Sequence, residues 1–176
     1  MNSGPHQVTG DHPPFQVRPV IASEWASFRD IRLRALASSP EAFSSTWSHE
    51  SEFPESTWRE RAVPSSSRQM WSARCGADWI GLVGAVREAA GQVQLVSMWV
   101  HPSWRRQGVA RALIAAVVAW HRLAGSSGIY LWVAVDNLAA RNCYEVDGFR
   151  PTGARLPLPS DPTRQRLEMR LGSDSA

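Results

Sequence analysis

The segment HPSWRRQGVARAL, residues 101–113, sets Arg105, Arg106 and Arg111 around Gly108. The chemistry on offer is the capture of an anion. Upstream, VQLVSMWV (93–100) is apolar and half-alternating, as a largely buried strand reads. Downstream, Leu113, Ile114, Val117, Val118 and Trp120 recur at helical spacing until Gly125. A strand, a short basic turn and a helix start place free backbone N–H groups and the positive end of a helix dipole at one spot. Gly108 has no Cβ, so backbone there can approach a bulky anion closely. The expected guest carries phosphate. Without further motifs, a solvated helix start explains the same residues.

A second constellation is VDNLAARNCYEVDGF, residues 135–149. Asn137 and Tyr144 lie seven apart, and at roughly 100° per residue that returns to nearly the same helix face, with Ala140 between them. Asn137 suits the helix cap and Gly148 the helix end. Cap only and ligand contact stand level for Asn137. For Tyr144 a core tyrosine is the plain alternative to a chemical role.

These residues need a frame to hold them, and the chain supplies one. A strand is expected over 15–21. A helix capped by Ser23 follows, with Trp25, Phe28, Ile31, Leu33 and Leu36 on one face, and ends before Pro40. Residues 40–53 read as loop, and a second helix runs from Pro54 to near Pro64. Strands over 68–75, 79–88 and 92–100 are separated by turns short enough for hairpins, so they predict an antiparallel meander. After the basic turn and its helix come a strand at 129–135, a helix at 137–146, a short strand at 149–152 and a closing strand at 165–171. Residues 155–163, with their prolines, read as a long loop. The order β-α-α-β-β-β-α-β-α-β-β combines hairpins with one crossover.

Composition limits the rest. The 176 residues fit one domain, expected over 15–171, with a disordered leader at 1–14 and a flexible tail at 172–176. No window is long enough to span a bilayer, and the leader lacks the apolar core of a secretory signal. Cys75 and Cys143 form no metal or redox spacing and read as buried thiols in a reducing, cytoplasmic setting. The net charge of +3 is mild, and all 19 basic residues are arginine. No basic run beyond 105–111 marks a nucleic-acid surface, so neither nucleic acid nor membrane is expected as a partner, nor a metal. Of the nine tryptophans, most read as packing; Trp47, Trp99 and Trp104 are candidates to face a ligand.

With both motifs in place, the chain resembles the GNAT superfamily of acetyl-CoA-dependent N-acetyltransferases. Arg105-Arg106-Gln107-Gly108-Val109-Ala110 fits its pattern of Gln or Arg, two variable residues, Gly, one variable residue, and Gly or Ala. MWVHPSW (98–104) resembles the exit of its fourth strand, and residues 135–149 its Asn, Ala, Tyr, Gly-Phe signature. The resemblance covers about residues 15–171. It implies an α+β (mixed α/β) fold: a central, mostly antiparallel twisted sheet of about seven strands flanked by four helices.

It also implies roles. Backbone amides from Arg105 through Arg106, Gln107, Gly108, Val109, Ala110 and Arg111 would cradle the CoA pyrophosphate. The fourth strand would splay from the fifth, with Met98, Trp99 and Val100 as backbone partners of pantetheine. Asn137 would contact the cofactor. Tyr144 would lie near the sulfur and protonate the departing thiolate, a role general acids fill with about 10²–10⁴-fold effect. The family's strand-borne glutamate falls at Gln94, which cannot serve as a base. Glu50 is therefore the candidate carboxylate for the amine, with Glu52 and His49 beside it in the 40–53 loop. The expected function is acetyl transfer from acetyl-CoA to a primary amine of a small molecule or protein, by a possible homodimer. A non-catalytic acyl-CoA sensor on the same fold is the alternative. The acceptor and the proton-removing base stay open.

Overall fold

The computed structural model describes residues 14–172. The leader and the tail, apart from residues 14 and 172, lie outside the described residues. Seven strands form one sheet in the order β1-β2-β3-β4-β5-β7-β6: β1 (Gln16–Pro19), β2 (Arg68–Cys75), β3 (Asp78–Arg87), β4 (Val93–Val100), β5 (Ile129–Ala134), β6 (Phe149–Leu158) and β7 (Asp161–Leu171). Every neighbouring pair is antiparallel except β4 and β5. Five α-helices accompany it: α1 (Trp25–Ser38), α2 (Trp47–Ser51), α3 (Glu55–Ala62), α4 (Val109–Leu123) and α5 (Leu138–Val146). The expected fold class and element order stand, with α2 as a short addition inside the expected 40–53 loop. Thr46 starts it by accepting a hydrogen bond from the His49 N–H at 3.3 Å.

The sheet divides the core in two. On one side α4 buries Val109, Leu113, Ile114 and Val117, and α5 buries Tyr144, against Val93, Leu95, Leu131, Val133 and Met169. On the other side α1 and α3 bury Phe28, Ile31, Leu36 and Trp58 against Val20, Met70, Leu82 and Trp99. Each such side chain contributes about 1.5–3 kcal/mol on burial, so both layers hold the sheet firmly. Trp99 belongs to this second core. Its Nε1–H donates to Ser38 Oγ at 3.2 Å, so the indole packs on α1 and does not face a ligand.

Residues 155–163 are a hairpin and not the expected loop. β6 runs on to Leu158, and β7 begins at Asp161. Pro151 and Pro157 argue against a central strand, but β6 is the edge of the sheet, where a missing N–H costs no ladder bond.

One buried charge ties three helices. Glu50 on α2, 3% exposed, accepts from Arg32 Nη2 at 2.6 Å and Arg32 Nε at 3.0 Å on α1, and from Arg61 Nη1 at 2.8 Å on α3. Arg61 also lies over the rings of Trp58, Phe28 and Phe53. Burial alone would raise the Glu50 carboxyl. The hydrogen bonds and charge of Arg32, joined by Arg61, outweigh it and hold the group down at about 2. A carboxyl depressed from 4.5 in the unfolded chain to about 2 contributes stability above pH 4.5 that disappears as pH falls toward 2. At about 1.36 kcal/mol per unit this is worth about 3 kcal/mol. Glu50→Gln should lower unfolding free energy at pH 7 by that order and flatten the acid limb of stability, as urea titrations between pH 2 and 7 would record.

Candidate active site

β4 and β5 pair only at Val93 with Ile129 and Gln94 with Tyr130. Beyond these residues they part. The cause lies on the opposite edge of β4: Leu82 faces Trp99 but Gly84 faces Val96, so Val83 stands opposite both Ser97 and Met98. This bulge takes Ser97 to φ +58°. Bulges bend a strand and increase its twist, turning Leu95–Val100 away from β5. The backbone of that stretch is left without a strand partner on its β5 side, an unpaired edge inside a sheet.

The gap runs toward the basic turn. A short 3₁₀ turn at Pro102–Trp104 follows β4, fixed by His101, whose Nδ1 lies 2.7 Å from Ser103 Oγ. Arg106 (φ +62°) and Gly108 (φ +81°) then take left-handed conformations that present the start of α4. A Cβ built on Gly108 would meet no atom within 4 Å. The turn therefore faces open space with the N–H groups of the first helical turn.

The three arginines divide their work. Arg105 turns back, with Nε donating to the Val100 carbonyl at 3.2 Å and Nη2 reaching Ser39 Oγ at 3.4 Å, and so braces the turn. Arg111, 78% exposed, pairs with Asp147 at 3.4 Å. Arg106 is exposed and carries no partner among the described residues. Gln107 Nε2 donates to the Ser103 carbonyl at 2.8 Å. The expectation of three free charges at the turn thus reduces to Arg106 and the backbone.

On α5, Asn137 Oδ1 accepts from the Ala140 N–H at 3.1 Å, so the cap is made while its amide N–H₂ stays available. Tyr144 is 7% exposed and packs edge-on to Phe149 at 5.7 Å, in the same core as Val100 and Val109. Burial first, and Cys143 second, raise its hydroxyl pKa, and that hydroxyl has no hydrogen-bond partner among the described residues. The hydroxyl carries its proton at neutral pH.

Glu50 does not join this group as a base. Its two oxygens are occupied by Arg32 and Arg61, and a carboxyl held at about 2 takes no proton near neutrality. Gln94 sits at the closed apex of the gap, paired with Tyr130. The sequence reading missed the opposite wall, where Trp132 on β5 stands beside Arg166 on β7. Its only signal was the alternation of residues 130, 132 and 134 against 166, 168 and 170. Among the described residues no group of His, Cys, Asp and Glu could hold a metal, and no helix is long and apolar enough to cross a membrane.

Residues 28–149 match the acetyltransferase (GNAT) family. The chain belongs to that family. Among individual relatives, human N-acetyltransferase 8 is 33% identical over 90 residues, 47% of this chain and 39% of that protein. The aminoglycoside N(6')-acetyltransferase type 1 of Stenotrophomonas maltophilia is 37% identical over 68 residues, 36% of this chain and 44% of that protein. The chain thus matches less than half the length of these curated relatives. Among solved structures, YncA of Salmonella typhimurium with acetyl-CoA superposes with a TM-score of 0.71 at 15% identity, covering 93% of this chain and 96% of that one. The similarity to YncA is one of fold.

Gly108 should reveal its conformation without any ligand. An alanine at φ +81° has no steric clash with neighbours but carries the left-handed penalty. Gly108→Ala should therefore cost about 1–2 kcal/mol in urea denaturation.

Proposed function

We propose that the protein is an N-acetyltransferase that moves the acetyl group of acetyl-CoA to a primary amine. The observation that carries this reading is the parted pair β4 and β5, whose unpaired backbone leads directly to an open turn of N–H groups. A linear amide-bearing arm ending in a pyrophosphate suits both parts. The backbone of Met98, Trp99 and Val100 would take the arm as an added strand. The N–H groups from Gln107 to Arg111, with the Arg106 guanidinium, would hold the pyrophosphate, and the Asn137 amide would add a donor.

Acetyl-CoA supplies an acyl group activated as a thioester. The amine nitrogen forms the new C–N bond with the acyl carbon as the C–S bond breaks. Tyr144 gives its proton to the departing sulfur. Its raised pKa keeps the hydroxyl protonated at neutral pH, and its lack of a competing partner leaves the proton free to be given. The amine's own proton leaves through solvent water in the gap, where Ser97 is the polar side chain of β4 beyond the closed apex at Gln94. The chemistry asks for no protein carboxylate at that point, provided some neutral amine is present at working pH.

Two measurements test the reading. Acetyl-CoA at about 100 times its dissociation constant should stabilise the fold by about 2.7 kcal/mol, and Gly108→Val should lose this shift because its side chain would occupy the open space of the turn. Tyr144→Phe should keep acetyl-CoA affinity and lower kcat by about tenfold or more. Normal turnover in that variant would return Tyr144 to a packing role, and acetyl-CoA binding without thiol release for any amine would favour a sensor.

A further inference from the structure

On the β5 side of the gap, β7 carries a guanidinium, Arg166, that stacks on Trp132 of β5 and has no ion pair among the described residues. Trp132 pairs in register with Glu168, and Ala134 with Arg166, so these side chains share a face. Leu131 and Val133 point into the core beneath α4. By alternation, Trp132 and Arg166 lie on the opposite side, the side of α1 and the 40–47 segment. Arg166 Cζ sits 4.9 Å over the Trp132 ring, and Nη1 reaches Ser44 Oγ at a long 3.5 Å. Its Nε is buried and has no hydrogen-bond partner among the described residues. Burial lowers its pKa, with only a small opposing effect from Tyr130.

Four of the nearby carboxylates are already taken, and Glu41, in the 40–47 segment, lies toward Arg164. Arg164 holds Asp136 at 2.6 Å, Arg170 holds Glu168 at 2.6 Å, Arg32 and Arg61 share Glu50, and Glu88 accepts from the Tyr130 hydroxyl at 2.5 Å. Among the described residues Arg166 has no acidic partner. Only Nε is withdrawn from water, and the Nη edge of the half-buried guanidinium stays open, so the group keeps its proton and can take an anion there. Its planar fork fits a carboxylate through two parallel hydrogen bonds.

We propose that the acetyl acceptor is a small amino acid, whose carboxylate is held by Arg166 above Trp132 on the β5 side of the gap. The proposal rests on the acetyl-transfer reading only for what happens to the amine. Arg166 is a specificity-determining residue: it favours acceptors that carry an anion beside their amine and disfavours polycations, which it repels.

The test compares the twenty L-α-amino acids with their α-amides, spermidine and an aminoglycoside, following thiol release from acetyl-CoA. For the best amino acid, kcat/KM should exceed that of its amide at least tenfold. Arg166→Met should erase the difference by raising KM for the amino acid tenfold or more, with KM for acetyl-CoA unchanged, and Arg166→Lys should restore part of it. Amides or polycations used as well as the amino acids, or a preference that survives in Arg166→Met, would overturn the proposal. If Arg166→Met does not fold, the acid-to-amide ratio of the unaltered protein and its decrease in Arg166→Lys decide. If acetyl-CoA binds but no amine releases thiol, the transfer reading fails on its own. Calorimetric titration of the CoA-loaded protein with the amino acids and their amides then reads the Arg166 site directly: binding of acids but not amides supports it, and binding of neither overturns it.

Discussion

Two parallel residue pairs, Val93 with Ile129 and Gln94 with Tyr130, form the ladder that joins the two halves of the sheet among the described residues. Everything functional follows from how soon that ladder stops. A sheet that stayed zipped to Val100 would satisfy its own backbone and leave no slot. The bulge at Ser97 stops it, and the cost of a left-handed serine is borne by the firm packing of β3 and β4 on both faces. Both apolar layers pack on the β2–β4 half, and the α4 layer also takes in Leu131, Val133, Leu167 and Met169 of β5 and β7, so the two halves share a core although their strands part.

Charge is arranged with the same economy. In a chain whose cations are all arginine, bidentate pairing is available at every ion pair, and the described structure uses it repeatedly. Glu24 takes both Nη atoms of Arg74, Asp136 takes Arg164, and Glu50 takes two arginines. Glu50 shows why a carboxylate near a cleft is not thereby a base. The guanidinium neighbours that make burial tolerable also remove its affinity for protons.

Much of this was legible in the sequence, for identifiable reasons. The anion turn and the α5 stripe are local: spacing along one helix or one turn carries them, so Gly108, Asn137 and Tyr144 could be named before any fold was known. The β2–β3–β4 meander followed from the short turns between its strands. Glu50 was misread because its partners, Arg32 and Arg61, lie 18 and 11 residues away on helices whose packing no local pattern encodes. The β6–β7 hairpin was misread because proline forbids a central strand but not an edge strand, and edge position is a property of the whole sheet. Arg166 was invisible for a related reason: a missing counter-charge can be noticed only after every neighbouring carboxylate has been assigned.

The two walls of the gap therefore differ in how they recognise a ligand. On the β4 side the donors and acceptors are mostly main chain, indifferent to side-chain identity, and suited to a co-substrate shared across a family. On the β5 and β7 side the polar groups are side chains set on alternating strand positions, where one substitution changes charge without disturbing the ladder. A fold built this way can keep its acyl donor while its acceptor changes. Tyr144 packs in the α5 core against Phe149, and burial raises its pKa further above neutrality, so the proton stays on its oxygen.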